Sequence, residues 1–467
     1  MHILLLPRTS LLTLSLLAAA ASTTTPSSPR PAAQQSEAVS AASAAPAGST
    51  TFDVTAFGAD PTGAEPSDDA FNRAIAAINK RPLGGACALL LPPGRYLILK
   101  PLTALNGISD IAVIGHGAHV VFTCTTEYAT LLSFKGISYA SVALAGDVVQ
   151  GSDRIDLTGP ALSQQGASDS LLLRLNSSAR YFHTTKDSTR NNKKGELLTF
   201  AATAADGKRG FIEGKGPVFS YAANATTATV ISPARNLQVL GLAVTGAGAT
   251  YKTQAFNFDG TESVRVSGCT LDALNVGIGL ASSHQILVSG NSFSRIDMVG
   301  LGYSVMIGTF VLSVEVSGNT GSKGRHFVTT GGEDGIARGI TISGNRFEGA
   351  IEGAISPHSQ GYDVAILSNH ISDSNIGVES RCPNTVISGN VIVNSGQPNT
   401  STVTAPRSMQ CAIYATELGG TNLIIKDNVV TYDAARYRGL INSEPIYGAC
   451  EVTQYSSRFQ HLLVNTN

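Results

Sequence analysis

The sequence predicts an all-β solenoid: a parallel β-helix with an N-terminal capping helix and one β insertion. Three observations predict it: a ladder of near-repeats, strand chemistry between the rungs, and composition. The rungs read apolar-Ser-Gly-Asn, as Val266-Ser267-Gly268-Cys269, Val288-Ser289-Gly290-Asn291, Val316-Ser317-Gly318-Asn319, Ile342-Ser343-Gly344-Asn345, Leu367-Ser368-Asn369, Ile387-Ser388-Gly389-Asn390 and Ile425-Lys426-Asp427-Asn428. The Asn-equivalent positions 269, 291, 319, 345, 369, 390 and 428 are separated by steps of 22, 28, 26, 24, 21 and 38. A period in this range marks a repeat architecture. Between the rungs lie short Val/Ile-rich runs bounded by Gly and Asn, which is strand chemistry. Three short strands and their bends, at ~3.3 Å per residue, make one turn of that length. One Asn per turn at an inside corner can bond to the Asn above and below. Gly is frequent (48) and charge is low (14%), which suits many tight bends around a long apolar interior.

Length alone, 467 residues, would suggest two to three domains. A solenoid adds turns without closing a new core, so residues 51–467 are expected to form one β-helix domain, with an insertion at about 150–235. The net charge of −1 provides no global field for nucleic acid or an anionic membrane, and neither is expected as a partner. Residues 1–22 read as a secretory signal, with Arg8 as a basic start, an apolar centre from Leu11 to Leu17, and small residues from Ala18 to Ser22. The apolar run is too short to prefer spanning a membrane. Residues 23–50, rich in Ser, Thr, Ala and Pro, have little to bury and read as a disordered linker. The expectation is a secreted or periplasmic protein, monomer or homo-oligomer. Export permits disulfides, and Cys382 with Cys411, and Cys87 with Cys124, are the expected pairs. No CxxC and no zinc-like spacing occurs, so no metal ligand is predicted.

The folded part opens at Phe52-Asp53-Val54-Thr55-Ala56-Phe57-Gly58-Ala59-Asp60. Ser67-Asp68-Asp69 supplies N-cap residues for a helix. Phe71, Ile75 and Ile78 share one of its faces. Such a helix can plug the open end of a solenoid, where strand edges and apolar interior are otherwise exposed. Leu89-Leu90-Leu91-Pro92-Pro93-Gly94-Arg95-Tyr96 begins the first turn. Within the insertion, Gly151 to Ile155 and Gly195 to Leu198 read as hairpin strands. Arg180, His183, Lys186, Arg190, Lys193 and Lys194 lie between, and this run reads as a solvated loop before it reads as a basic wall over a groove. Residues 451–467 show no clear place in the ladder and are expected to cover its C-terminal end.

The Asp-Val-x-x-Phe-Gly-Ala-Asp opening, the capping helix and Leu-Pro-Pro-Gly-x-Tyr resemble the pectate-lyase superfamily of right-handed parallel β-helix proteins. The resemblance spans about residues 51–450 and implies that fold. Its members include polysaccharide lyases, glycoside hydrolases, uronate C5-epimerases and tailspike depolymerases, so it implies carbohydrate chemistry without choosing the reaction. Many of its lyases use calcium, which makes Ca2+ the cofactor to consider. No Asp/Glu cluster is dense enough to define a calcium site.

The strands after each Asn align as Gly300 to Ser304, Arg325 to Thr329, Ala354 to His358, Gly377 to Arg381, and Ala412 to Thr416. Strand side chains alternate between faces. In this alignment Leu301, Ile355, Val378 and Ile413 point inward. Ser356, Glu379 and Tyr414 point outward, as do His358, Arg381 and Thr416, and His326 sits above Ser356. Stacked turns lie about 4.8 Å apart, so His358 and Arg381 become vertical neighbours. Such a gathering of ionisable groups is more than packing requires. His326, His358, Arg381, Tyr414 and Glu379 are the candidate catalytic residues. Arg325, Tyr303, Ser356, Glu352 and Lys323 are candidate substrate-binding residues.

Ser356-Pro357-His358-Ser359 is similar to the Asp-Pro-His-Thr of alginate C5-epimerases and related lyases. Ser356 and Ser359 depart from that pattern, and Gly353 stands where those enzymes carry a tyrosine. Arg325-His326-Phe327-Val328-Thr329-Thr330, His358 and Arg381 resemble a tailspike-like pattern more fully. The chemistry expected first is β-elimination from a uronic-acid polymer. Arg381 would pair with the substrate carboxylate and steady the enolate-like transition state. His358 or His326 would take the proton, Tyr414 would protonate the leaving oxygen, and Glu379 would orient its neighbours. Hydrolysis is the alternative, and needs two carboxyl groups drawn from Glu333, Asp334, Glu348, Glu352 and Glu379. A third reading is a polysaccharide-binding or adhesin solenoid. The absence of Trp weakens the stacking platform such a binder would use.

Overall fold

The structure, a computed structural model, describes residues 49–81, 85–158, 171–181, 193–203, 208–248, 252–332, 334–396, 412–415, 422–431 and 462–464. Its body is a right-handed parallel β-helix. Three parallel sheets of twelve, ten and nine strands run along it, each gaining one strand per turn. Sheet I carries the Ser-Gly-Asn rungs, sheet II follows each rung, and sheet III closes the turn.

The rung sequence explains the corner between sheets I and II. Its apolar residues stack in register as Val266, Val288, Val316, Ile342, Ile387 and Ile425, joined by Val239 on the preceding turn and by Ile366, which takes the place expected for Leu367, a β-branched column inside the core. Its glycines turn the chain with left-handed backbone, from φ 62° at Gly318 and Gly344 to φ 66° at Gly389. Only a residue without Cβ adopts this conformation freely. Ser368 occupies the same place at φ 53°. Relief of that strain, less the extra chain entropy of glycine, should make Ser368→Gly stabilising by about 0.5 kcal/mol. Thermal unfolding checks it; a lower midpoint would contradict it.

Each Asn then bonds to the next turn. The backbone N–H of Asn319 donates to Asn345 Oδ1 at 2.9 Å, as does its side-chain amide. That amide also donates to Val288 O on the preceding turn. The pattern repeats from Asn291 to Asn428, and Cys269 N–H joins it by donating to Asn291 Oδ1. Buried polar groups at an inside corner are thereby satisfied turn by turn.

The helix spans Asp68–Asn79 and buries Phe71, Ile75 and Ile78 in the main core. Ser67 makes no side-chain cap; its Oγ accepts instead from Asp60 N–H. Asp68 pins the first turn of the helix to the solenoid by accepting from Leu99 and Lys100 N–H. The insertion is a six-stranded antiparallel sheet with described strands between Ile137 and Ser232. The expected hairpin between Gly151–Ile155 and Gly195–Leu198 does not form. Arg154–Asp156 pairs with Arg209–Ile212, while Lys193–Thr203 pairs with Leu171–Arg180 and Arg209–Ile212. Arg209–Ile212 stands between the two expected partners and pairs with both.

Two further expectations are corrected. Leu462–Val464 extends sheet I in parallel with Leu423–Lys426, so this part of the C-terminal segment does have a place in the ladder. Cys87 and Cys124 are separate buried thiols, because one lies on sheet I and the other follows a strand of sheet II. Cys382 is also a free thiol and donates to His358 O at 2.8 Å. Cys411 and Cys450, the signal-like segment and most of the linker lie outside the described residues. No described helix is long and apolar enough to cross a membrane.

Candidate functional site

The candidate residues gather on the outer face of sheet III. The inward column there is Val305, Val328, Ile355, Val378 and Ile413, all buried. Val305, not Leu301, fills the inward position of its turn. The chain before Tyr303 forms a longer corner that absorbs extra residues, and alignment by distance from the Asn does not see this. The outward row is Met306, Thr329, Ser356, Glu379 and Tyr414. His326 therefore does not stand above Ser356. It pairs with Tyr303 below it and reaches Gly353 above, where Gly353 O lies 2.6 Å from its Nδ1.

Around His326 the side chains form a closed set. Arg325 grips Glu352 with two donors, Nε to Oε1 and Nη2 to Oε2, each at 2.9 Å. Glu352 Oε2 lies 3.2 Å from His326 Nε2. The Tyr303 ring lies parallel to the His326 ring at 5.9 Å, and the Arg325 guanidinium sits 5.2 Å from the same tyrosine. The His358 ring meets His326 edge-on at 5.8 Å. Burial pushes the Glu352 carboxyl up, but hydrogen bonds from His326 and Arg325 and their charges outweigh it and hold it at about 2. Its folded-state value thus lies below its unfolded one. The carboxylate stabilises the fold above about pH 4.5, and that contribution is lost as pH falls towards 2. Acid unfolding should therefore be less steep between those pH values in Glu352→Gln than in the unaltered chain.

A second pair lies one turn on. Arg381 Nη2 donates to Glu379 Oε1 at 2.9 Å, and Ser356 Oγ donates to Glu379 Oε2 at 2.8 Å. Tyr414 stacks next in register on Glu379. Arg381 N–H donates to Pro357 O, which sets Arg381 beside the His358 corner. A side chain at Gly353 would place its Cβ 3.1 Å from Glu379 Oε2, so this glycine keeps room for the second carboxylate between turns. Access differs sharply within the set. The Glu352 side chain is 30% exposed, Arg381 20% and Glu379 12%, whereas His326 is 1% and His358 7% exposed.

Not every candidate joins. Lys323 lies on the neighbouring sheet II, exposed, in a left-handed corner at φ 55°. Glu348 is on sheet II as well, and Asp334 is paired with Lys193 of the insertion. Glu333 and Thr416 lie outside the described residues, as does most of the basic run from Arg180 to Lys194. Among the described residues no three His, Cys, Asp or Glu side chains are arranged to hold a metal ion.

Sequence reasoning missed the docking of the insertion. Arg338 of sheet I is buried between Glu196 and Asp363, with its Nη1 also donating to Gly216 O at 3.0 Å. Glu196 accepts from Val218 N–H and Tyr221 Oη. Phe310 packs with Leu172, Leu197 and Ile231 beside these contacts. The insertion thus covers part of the outer face of sheet I and leaves the cluster on sheet III. A buried Glu on an insertion strand and an Arg on a rung strand could have signalled this pairing, but nothing local joins positions 196 and 338.

No protein-family model matches the chain, and no curated protein matches it by sequence. Solved structures do match in fold. The tailspike protein of Pseudomonas phage LKA1 is similar with a TM-score of 0.57 and 16% identity, over 82% of this chain and 76% of that one. The tailspike of Acinetobacter baumannii bacteriophage AP22, in complex with a capsular saccharide, has a TM-score of 0.53 and 13% identity over 82% of this chain. The match covers 66% of that protein, just under two thirds of its length. DFA-IIIase from Arthrobacter chlorophenolicus A6, in complex with DFA-III, has a TM-score of 0.51 and 12% identity, over 85% and 79% of the two chains. At these identities the likeness is one of architecture, the parallel β-helix.

Proposed function

We propose that this chain is a secreted carbohydrate-active enzyme that cleaves a polysaccharide on the outer face of sheet III. The observation that carries the reading is the pair of glutamates on successive turns, Glu352 held by Arg325 and Glu379 held by Arg381, flanking Gly353. The capsular saccharide bound by one similar tailspike is in keeping with it. Hydrolysis is the reaction these groups serve best. It needs two carboxyl groups on either side of a glycosidic bond. Glu352 is the more exposed of the two and is held anionic, which suits the nucleophile or the base that activates water. Glu379 accepts from Arg381 and Ser356 on its two oxygens, so Tyr414, next in register to it, supplies the proton to the leaving oxygen.

Elimination from a uronic-acid polymer is the second reading, favoured by the adjacency of Arg381 to the His358 corner and of Tyr414 to Glu379. Against it stands the burial of both histidines that would remove the proton. The test is incubation of the purified protein with neutral and acidic polysaccharides. New reducing ends without an ultraviolet-absorbing unsaturated uronate support hydrolysis. An unsaturated product, lost in His358→Ala and Arg381→Ala, would make the protein a lyase. Saturable binding of a glycan with no cleavage would refute the enzyme and leave a binding solenoid.

A further inference from the structure

The protons around His326 can be counted from its partners. Nδ1 lies 2.6 Å from Gly353 O, and a carbonyl oxygen only accepts, so Nδ1 carries a proton. Nε2 lies 3.2 Å from Glu352 Oε2. That oxygen and its twin already receive Nη2 and Nε of Arg325, two donors that never lose their protons. A carboxyl gripped on both oxygens by donors is an acceptor, so Nε2 must donate as well. A neutral ring would aim a lone pair at a carboxylate or at a carbonyl, and either contact is repulsive at these distances. The stacking agrees: the Tyr303 ring has Arg325 at 5.2 Å and lies parallel to His326 at 5.9 Å, a place that suits a cation over an aromatic face.

From this geometry we propose that His326 is a resident imidazolium, protonated on both nitrogens, and a positioning residue that locks Glu352 as a carboxylate facing the substrate. The groups that face it are Glu352, Arg325, Tyr303, His358 and Gly353 O, with Glu379 above Gly353. Glu352 is their nearest negative charge. The proposal rests on the reading of Glu352 as a working carboxylate and deepens it in two ways. Glu352 takes part as an anion and never as the acid, so the proton for the leaving oxygen comes from Tyr414, next in register to the ion-paired Glu379. The cluster Arg325, His326, Glu352, Glu379 and Arg381 also carries a net charge of about +1, by the side-chain charges themselves. That surplus favours a polysaccharide whose sugar at this site carries an acidic group over a neutral one.

Nitrogen-15 NMR of the full chain labelled in histidine tests the proposal without substrate, so its failure is separable from failure of the enzymatic reading. With His326 assigned by loss of its signals in His326→Gln, both ring nitrogens should show the imidazolium pattern at pH 7. In Glu352→Gln the charge that holds the second proton is gone, and only the Nδ1 proton should remain. A neutral His326 in the unaltered protein would overturn the proposal. So would a doubly protonated ring that persists unchanged in Glu352→Gln, because Glu352 would then not be what holds the charge.

Discussion

Glu352→Gln is expected to lower kcat by about 10²–10⁴-fold on the polysaccharide the protein cleaves, the range a positioned acid–base group contributes. The substitution is close to isosteric. The amide oxygen can still accept from Arg325, and the side chain stays at the edge of sheet III, so the fold and KM should change little. What is lost is the negative charge that the reaction needs and that Arg325 and His326 hold in place. His358→Ala discriminates between reactions. In hydrolysis it should cost far less than Glu352→Gln, since His358 is buried at the corner and the reaction draws on the carboxylates. In elimination the order reverses. A Glu352→Gln protein within about threefold of full activity, a difference well short of one acid–base group, would remove Glu352 from the chemistry altogether.

The largest effect on stability is expected from Asn345→Ala, about 3–6 kcal/mol. The Asn345 side chain accepts from Asn319 N–H and Nδ2 and donates to Val316 O and Asn369 Oδ1, all at 2.9 Å in a buried corner. Alanine deletes these four bonds and leaves buried donors and acceptors without partners, each at a cost of about 1–3 kcal/mol. Asn428→Ala removes similar bonds in a partly buried position. Water can replace them there, so its loss should be about 1–2 kcal/mol. Denaturant unfolding of the two variants checks both values. Equal losses would mean that burial of the corner does not set the strength of the ladder.

The fold was readable because a solenoid writes its period into the chain. The Ser-Gly-Asn rungs state the turn length, the apolar column and the left-handed corner all at once. Local rules and one repeated contact then suffice. The site was readable only in part. His326, His358, Glu352, Glu379 and Arg381 stood out as ionisable residues on successive turns. Their register did not, since corners of unequal length between sheets II and III shift each strand against its rung, and Leu301 and His326 were displaced by that shift.

The sequence by itself determined the β-helix, its capping helix, the position of each rung and the set of residues from which a site could be built. These depend on short-range conformational preference and on a strict repeat. Only the tertiary structure decided which atoms meet: that Glu352 binds Arg325 and His326, that Gly353 O accepts from His326 Nδ1–H, and that Arg338 ties the insertion to sheet I. Those contacts join residues that are distant along the chain, and their geometry depends on corner lengths and side-chain packing that no local pattern encodes.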